Sequence, residues 1–176
     1  DDSGNSRGYQ EITSRILIYD VSNPEAPAIT STREFKGTLA DSRMVGSVLY
    51  VATSVMDRNA WDWRGAQGNK SYGAVYSFDL NGATVEQVAE HKLKLPVSGR
   101  ENMNIVEVQN GDAYQYYLVA TLSQTVWSWW DRQSSIEVVD ISDASGKIKP
   151  VMIVSAQGFV NERSQTLIKD NTLIVT

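Results

Sequence analysis

The 176-residue chain contains no cysteine. That excludes a disulfide framework, a thiolate nucleophile and any zinc site built on cysteine. It contains one histidine, His91, so no metal site that needs two imidazoles can be assembled from this segment. Positive charge is in short supply: 16 Lys and Arg against 21 Asp and Glu give a net charge of -5. A nucleic-acid partner wants a basic face, so none is expected. No run approaches the ~18 apolar residues of a membrane helix; the longest apolar clusters are short, such as Val48-Leu49-Tyr50-Val51-Ala52. A phosphate loop is also missing. Gly65-Ala66-Gln67-Gly68-Asn69-Lys70-Ser71 has no glycine directly before the lysine and no helical pattern after it. The sequence therefore gives no reason to expect a cofactor, a metal or a nucleophilic triad.

What is present is the balance of a folded globular protein, 41% hydrophobic and 21% charged. The opening Asp1-Asp2-Ser3-Gly4-Asn5-Ser6 is polar and turn-prone, and residues 1–13 read as a linker or frayed end. With no initiator Met and no signal peptide, the expectation is a piece of something longer. Three apolar strands then end in an aspartate between apolar neighbours: Ile18-Tyr19-Asp20-Val21-Ser22, Tyr76-Ser77-Phe78-Asp79-Leu80 and Val138-Val139-Asp140-Ile141-Ser142. The aspartates stand 59 and 61 residues apart, a period that marks one repeated supersecondary unit. The repeats run over about residues 14–72, 73–133 and 134–176.

Alternating, β-branched and aromatic runs of five to nine residues make the chain almost all β. Each repeat yields four strands. The first runs through the aspartate: Arg15 to Val21, Ala74 to Leu80, Ser135 to Ile141. A turn of Asx and Ser residues follows, then a second strand: Ala28 to Phe35, Val85 to Leu95, Ile148 to Ser155. Weak helical spacing over Thr84 to His91 gives way to strand, because the matching segments carry Pro or β-branched residues. A third strand begins near Arg43, Arg100 and Arg163, and a hairpin leads to a fourth at Leu49, Tyr117 and Leu173. Four antiparallel strands in tandem units form the pattern of a propeller blade.

The runs Ile16-Leu17-Ile18-Tyr19-Asp20-Val21-Ser22-Asn23-Pro24 and Ser135-Ile136-Glu137-Val138-Val139-Asp140-Ile141-Ser142-Asp143 resemble the LVIVD-type repeat. They are also similar to the related secreted β-propeller domain of bacteria and archaea. Leu49-Tyr50-Val51-Ala52-Thr53 and Tyr117-Leu118-Val119-Ala120-Thr121 fill the place of that family's later Tyr-Val-Ala strand. The middle repeat departs from it, with Leu80-Asn81-Gly82 where the family has a Ser-Asp-Pro turn. The resemblance implies an extracytoplasmic protein and places the Asp-bearing strand third in its blade. The chain then reads as two strands, two whole blades and two strands, about three blade-equivalents of a propeller that needs at least about four to close. A four-bladed ring with irregular strands is the rival.

Antiparallel connectivity puts the loops joining second to third blade strands on one face. Two of these are long, Ser54 to Tyr72 and Leu122 to Ser134, and long loops in compact domains are usually functional or disordered. They hold all five tryptophans: Trp61, Trp63, Trp127, Trp129 and Trp130. Exposed indoles beside charges make a glycan platform or a protein hot spot; the competing reading is a small satellite core capping the blades. Arg43, Arg100 and Arg163 would ring the channel mouth as a carboxylate site, or pair with acids such as Asp41, Glu101 or Glu162 and brace adjacent blades. Asp20, Asp79 and Asp140 would accept N–H bonds from the following turn rather than hold a metal. His91 falls on an outer strand beside Lys92, away from the channel. The expected function is a binding or scaffold module for a protein or glycan partner. The alternatives are a polysaccharide hydrolase using Asp57, Asp62 or Asp131, or a structural subunit of a surface assembly or filament.

Overall fold

A computed structural model describes residues 12–55, 72–82, 84–96, 101–125, 132–157, 160, 166–169 and 172–175. Among them are twelve strands and no helix. In chain order these are β1 (Thr13–Asp20), β2 (Ala28–Lys36), β3 (Thr38–Val45), β4 (Val48–Val55), β5 (Tyr72–Asp79) and β6 (Glu86–Pro96). Then come β7 (Glu101–Asn110), β8 (Ala113–Thr125), β9 (Arg132–Asp140), β10 (Lys149–Gln157), β11 (Thr166–Lys169) and β12 (Thr172–Val175). Hydrogen bonding divides them two, four, four and two: β1-β2, β3-β4-β5-β6, β7-β8-β9-β10 and β11-β12. All neighbours are antiparallel. The aspartates close β1, β5 and β9, and in both complete sheets that strand is third, as the family resemblance implies. Of the segment of weak helical spacing, Glu86 to His91 lies in β6 and the two residues before it are not helical.

The central strands of the complete sheets are buried on both faces, and period-2 alternation decides which neighbour each side chain meets. On β4, Val48, Tyr50 and Ala52 join Leu118, Ala120, Val139 and Ile141 of the following blade. Leu49 and Val51 point the other way, with Tyr76 and Phe78, against Ile16, Ile18 and Phe35 of β1-β2. This explains why β4 and β5 are almost continuously apolar: neither face meets water. Phe35 lies 5.7 Å from Tyr76 and 5.6 Å from Phe78 between ring centroids. Each such pair contributes about 0.5–1.5 kcal/mol beyond area burial. At the other end, Ile168 and Leu173 of the β11-β12 hairpin pack on Val119, Ile136 and Val138.

A register shift recurs where third and fourth blade strands meet. It falls between Ile18 and Tyr19, between Ser77 and Phe78, and between Pro150 and Met152 opposite Val139 and Val138. One residue of the fourth strand is left over each time: Thr30, Val88 and Val151. Bulges of this kind bend a strand and increase its twist. The aspartates behave as turn acceptors. Asp20 Oδ1 accepts from Ser22 N–H and hydroxyl at 2.9 and 2.6 Å, Asp79 Oδ1 from Asn81 N–H at 2.9 Å, and Asp140 Oδ1 from Ser142 N–H at 2.9 Å. Asn81 thus does in the middle repeat what Ser does in the others. The Ser22 hydroxyl, then its N–H, hold the Asp20 carboxyl below the usual carboxylate range. Its contribution to the fold is therefore present above that range and fades as pH falls through the lowered value.

The turn after β9 also ties two blades together. The Tyr50 hydroxyl donates to the carbonyls of Asp143 and Lys147, and Ser77 Oγ donates to Gly146 O at 2.6 Å. Gly146 has φ +87°, and a Cβ there would stand 2.9 Å from Val88 Cγ1, the bulged residue of the preceding blade. We expect Gly146→Ala to destabilise the fold by about 1–3 kcal/mol through overpacking and backbone strain, read as a shift of the denaturation midpoint. Desolvation first, then the charges of Asp143 and Asp140, push the Tyr50 hydroxyl up to about 12 from 10.0. A raised folded-state value means stability is intact below about pH 10 and lost as pH rises through about 12. Tyr50→Phe should remove that alkaline loss and cost about 1 kcal/mol at neutral pH. Denaturant titrations at stepped pH check both.

Candidate functional site

The inner strands β3 and β7 lie side by side. Asp41 Oδ2 accepts the Ile105 N–H at 3.0 Å, and two residues further along both strands the Arg43 guanidinium donates to the Glu107 carboxylate. Matching increments mean that β3 and β7 run in the same direction. Their partners β4 and β8 then also run alike, so Val55 and Thr125, the ends of those strands, point to the same end of adjacent blades. The two long loops leave from these ends and return at Tyr72 and Arg132. Lys92 Nζ sits 3.8 Å above the Tyr72 ring, a cation–π contact at the foot of the first loop.

Arg43 serves the blade junction. Besides Glu107 it covers the Tyr116 ring of β8, with Cζ 5.1 Å from the centroid. It follows the bracing alternative, but its acid is neither Asp41 nor another sequence neighbour. Asp41 is held by the Ser42 and Ile105 N–H groups. Glu107 and Tyr116 were not legible as partners because Glu107 stands 64 residues away, and only the blade geometry brings it near. Arg100 and Arg163 lie outside the described residues, as do Trp61, Trp63, Trp127, Trp129 and Trp130, the acids Asp57, Asp62 and Asp131, and the Gly65–Ser71 stretch. His91 is on β6, the outermost strand of its blade, with Nε2 3.4 Å from Oε1 of Glu137, a nearly fully buried acid of the next blade. Among the described residues no cluster of His, Asp or Glu is arranged to hold a metal ion.

At the end of the blades away from the long loops, a cleft of about 340 Å³ opens between β8-β10 and the β11-β12 hairpin. Tyr117, Val138, Met152, Ile168 and Leu173 give it an apolar wall, with Asp140 and Lys149 on its rim.

Both members of the Arg43–Glu107 pair are partly solvent-exposed, so its contribution is modest. A double-mutant cycle with Arg43→Ala and Glu107→Ala should return a coupling of about 0.2–1 kcal/mol that shrinks in high salt. A coupling of zero would mean that the pair does not brace the blades.

A family model for the beta propeller domain matches residues 2–140. No curated protein and no solved structure matches the chain. The matched stretch is more than half of the sequence and contains the whole first four-stranded sheet and strands β7, β8 and β9 of the second; the two sheets pack face to face with inner strands running alike, as successive blades do. The chain belongs to the beta propeller domain family.

Proposed function

We propose that the chain is an extracytoplasmic binding or scaffold module that presents its tryptophan-rich loops to a protein or glycan partner. The carrying observation is the common direction of β3 and β7, which brings the feet of both loops to one end of neighbouring blades. Every tryptophan of the chain belongs to those two loops. Indole rings offer large, flat, weakly polar area at low conformational cost, the chemistry of sugar stacking and of protein hot spots. Membership in a propeller family agrees with a binding role, since such folds carry function in loops mounted on a rigid scaffold. The location outside the cytoplasm rests on the resemblance to secreted repeats.

The arrangement supplies its own probe, because intrinsic tryptophan fluorescence reports on these loops alone. Titration with a panel of soluble polysaccharides and candidate surface proteins should give a saturable shift for the true partner class. Trp61→Ala and Trp129→Ala should each weaken that binding by about 1–3 kcal/mol, with an unchanged far-ultraviolet circular dichroism spectrum. Variants that bind as the parent does would refute the reading. Variants that unfold would establish the satellite-core alternative.

A further inference from the structure

The two ends of the blades differ in charge. At the end away from the long loops, the turns after β1 and β5 and the β7-β8 hairpin carry acids only: Asp20 and Glu25, Asp79 and Glu86, and Asp112. In the turn after β9, Asp140 and Asp143 are balanced by Lys147 and Lys149. Antiparallel strands alternate between the ends, and at the loop end the balance reverses. β2 ends in Lys36 where it leads to β3. The β4-β5 connection holds Arg58, Arg64 and Lys70 against Asp57 and Asp62. Arg100 precedes Glu101 at the start of β7, and Asp131 precedes Arg132 at the start of β9. Counted with the strand residue on either side, no connection between strands at the loop end is net negative, and none at the other end is net positive. Lys92 and Lys94 of β6, close to its loop-end terminus Pro96, add to the basic side. A chain with a net charge of -5 thus keeps its acids away from the end that carries the tryptophans.

Cations and aromatic rings also occur together there. At the foot of the first loop the exposed Lys92 holds its ammonium 3.8 Å above the Tyr72 ring. In the loop sequences an arginine follows each tryptophan group: Trp61-Asp62-Trp63-Arg64 and Trp129-Trp130-Asp131-Arg132. Arginine is the donor whose planar fork matches a carboxylate. Asp62 and Asp131, set among the same residues, are acceptors for hydroxyl donors and would repel a ligand that offered anions alone. A ligand that answers all of these features presents flat ring faces, carboxylates and hydroxyls in one repeating unit. A neutral glycan lacks the carboxylate. An acidic protein and a DNA single strand lack the dense hydroxyls.

We propose that the partner of the loop end is a carboxylated polysaccharide, a chain of uronic-acid rings, whose carboxylates are drawn to the basic strand ends around Lys92 and to the loop arginines while its rings meet the aromatic side chains. The inference rests on the tryptophan-loop reading above and narrows it from protein or glycan to one class of glycan.

Calorimetric titration with polygalacturonate tests this, with neutral galactan, poly-L-glutamate and a thymidine oligonucleotide as comparison ligands. Polygalacturonate should bind saturably at low ionic strength, about tenfold or more tighter than any of the three, and more weakly as salt rises. Lys92→Glu and Arg64→Glu should each weaken it by about three- to tenfold. Lys149→Glu, an equal change of charge at the opposite end, should leave the affinity at the parental value. Circular dichroism reports whether Lys92→Glu folds; if it does not, Arg64→Glu decides. No binding of polygalacturonate would overturn the proposal. So would equal binding of any comparison ligand, or an equal loss with Lys149→Glu, which would mean that net charge alone matters. Galactan binding equal to that of polygalacturonate, and weakened by Trp61→Ala, would leave the tryptophan-loop reading standing while this one falls. Polygalacturonate binding that Lys92→Glu weakens and Trp61→Ala does not would remove the tryptophan-loop reading and keep the charge preference.

Discussion

Everything in this fold follows from sheets that are apolar on both sides. A four-stranded sheet such as β3-β6 cannot turn one face to water, because Tyr50 and Ala52 occupy one face while Val51, Tyr76 and Phe78 occupy the other. Such a sheet is stable only between two others. The unit of stability is accordingly the junction between blades, as in other repeat proteins where neighbour interfaces dominate. The three hydrophobic clusters map one to each junction: β1-β2 with the first full blade, the two full blades together, and the second full blade with β11-β12.

Polar chemistry works at those same junctions. Inner strands are linked by Asp41 to a backbone N–H and by the Arg43–Glu107 pair; the turn after β9 is held by Tyr50 and Ser77 of the preceding blade; His91 of the outermost strand β6 reaches Glu137 of β9. Apolar area supplies most of the free energy and has no preferred register. These directional bonds select one angle and one offset between blades from the many that apolar contact alone would tolerate. The aspartates that mark the repeat act within their own turns, and so fix the path by which the chain leaves each third strand.

The architecture was readable because it is periodic. Three aspartates about sixty residues apart located the third strands, and their turns located the fourth. The two-four-four-two division followed from the resemblance to the LVIVD-type repeat, which sets the Asp-bearing strand third in its blade. The departure at Leu80-Asn81-Gly82 turned out to preserve the same acceptor geometry, since an Asn N–H serves Asp79 as well as a Ser N–H serves Asp20. What stayed hidden was every pairing between repeats. Sequence proximity offered Arg43 the acid Asp41, whereas the folded protein uses Glu107 and the face of Tyr116. Such a partner depends on which residues of separate inner strands share a level, and composition carries no information on that. The bulges at Thr30, Val88 and Val151 were equally silent, because an extra residue in an exposed fourth strand leaves the alternation of its neighbours legible on both sides.

The half-blade offset between sequence repeat and sheet has a consequence for how such chains grow. A tandem duplication of one sixty-residue module breaks the chain between second and third strands, inside a sheet and at its widest loop. The inserted copy then shares its first and last sheets with older neighbours while its own middle junction is new. Lineages can change ring size one module at a time without ever exposing an unmatched boundary.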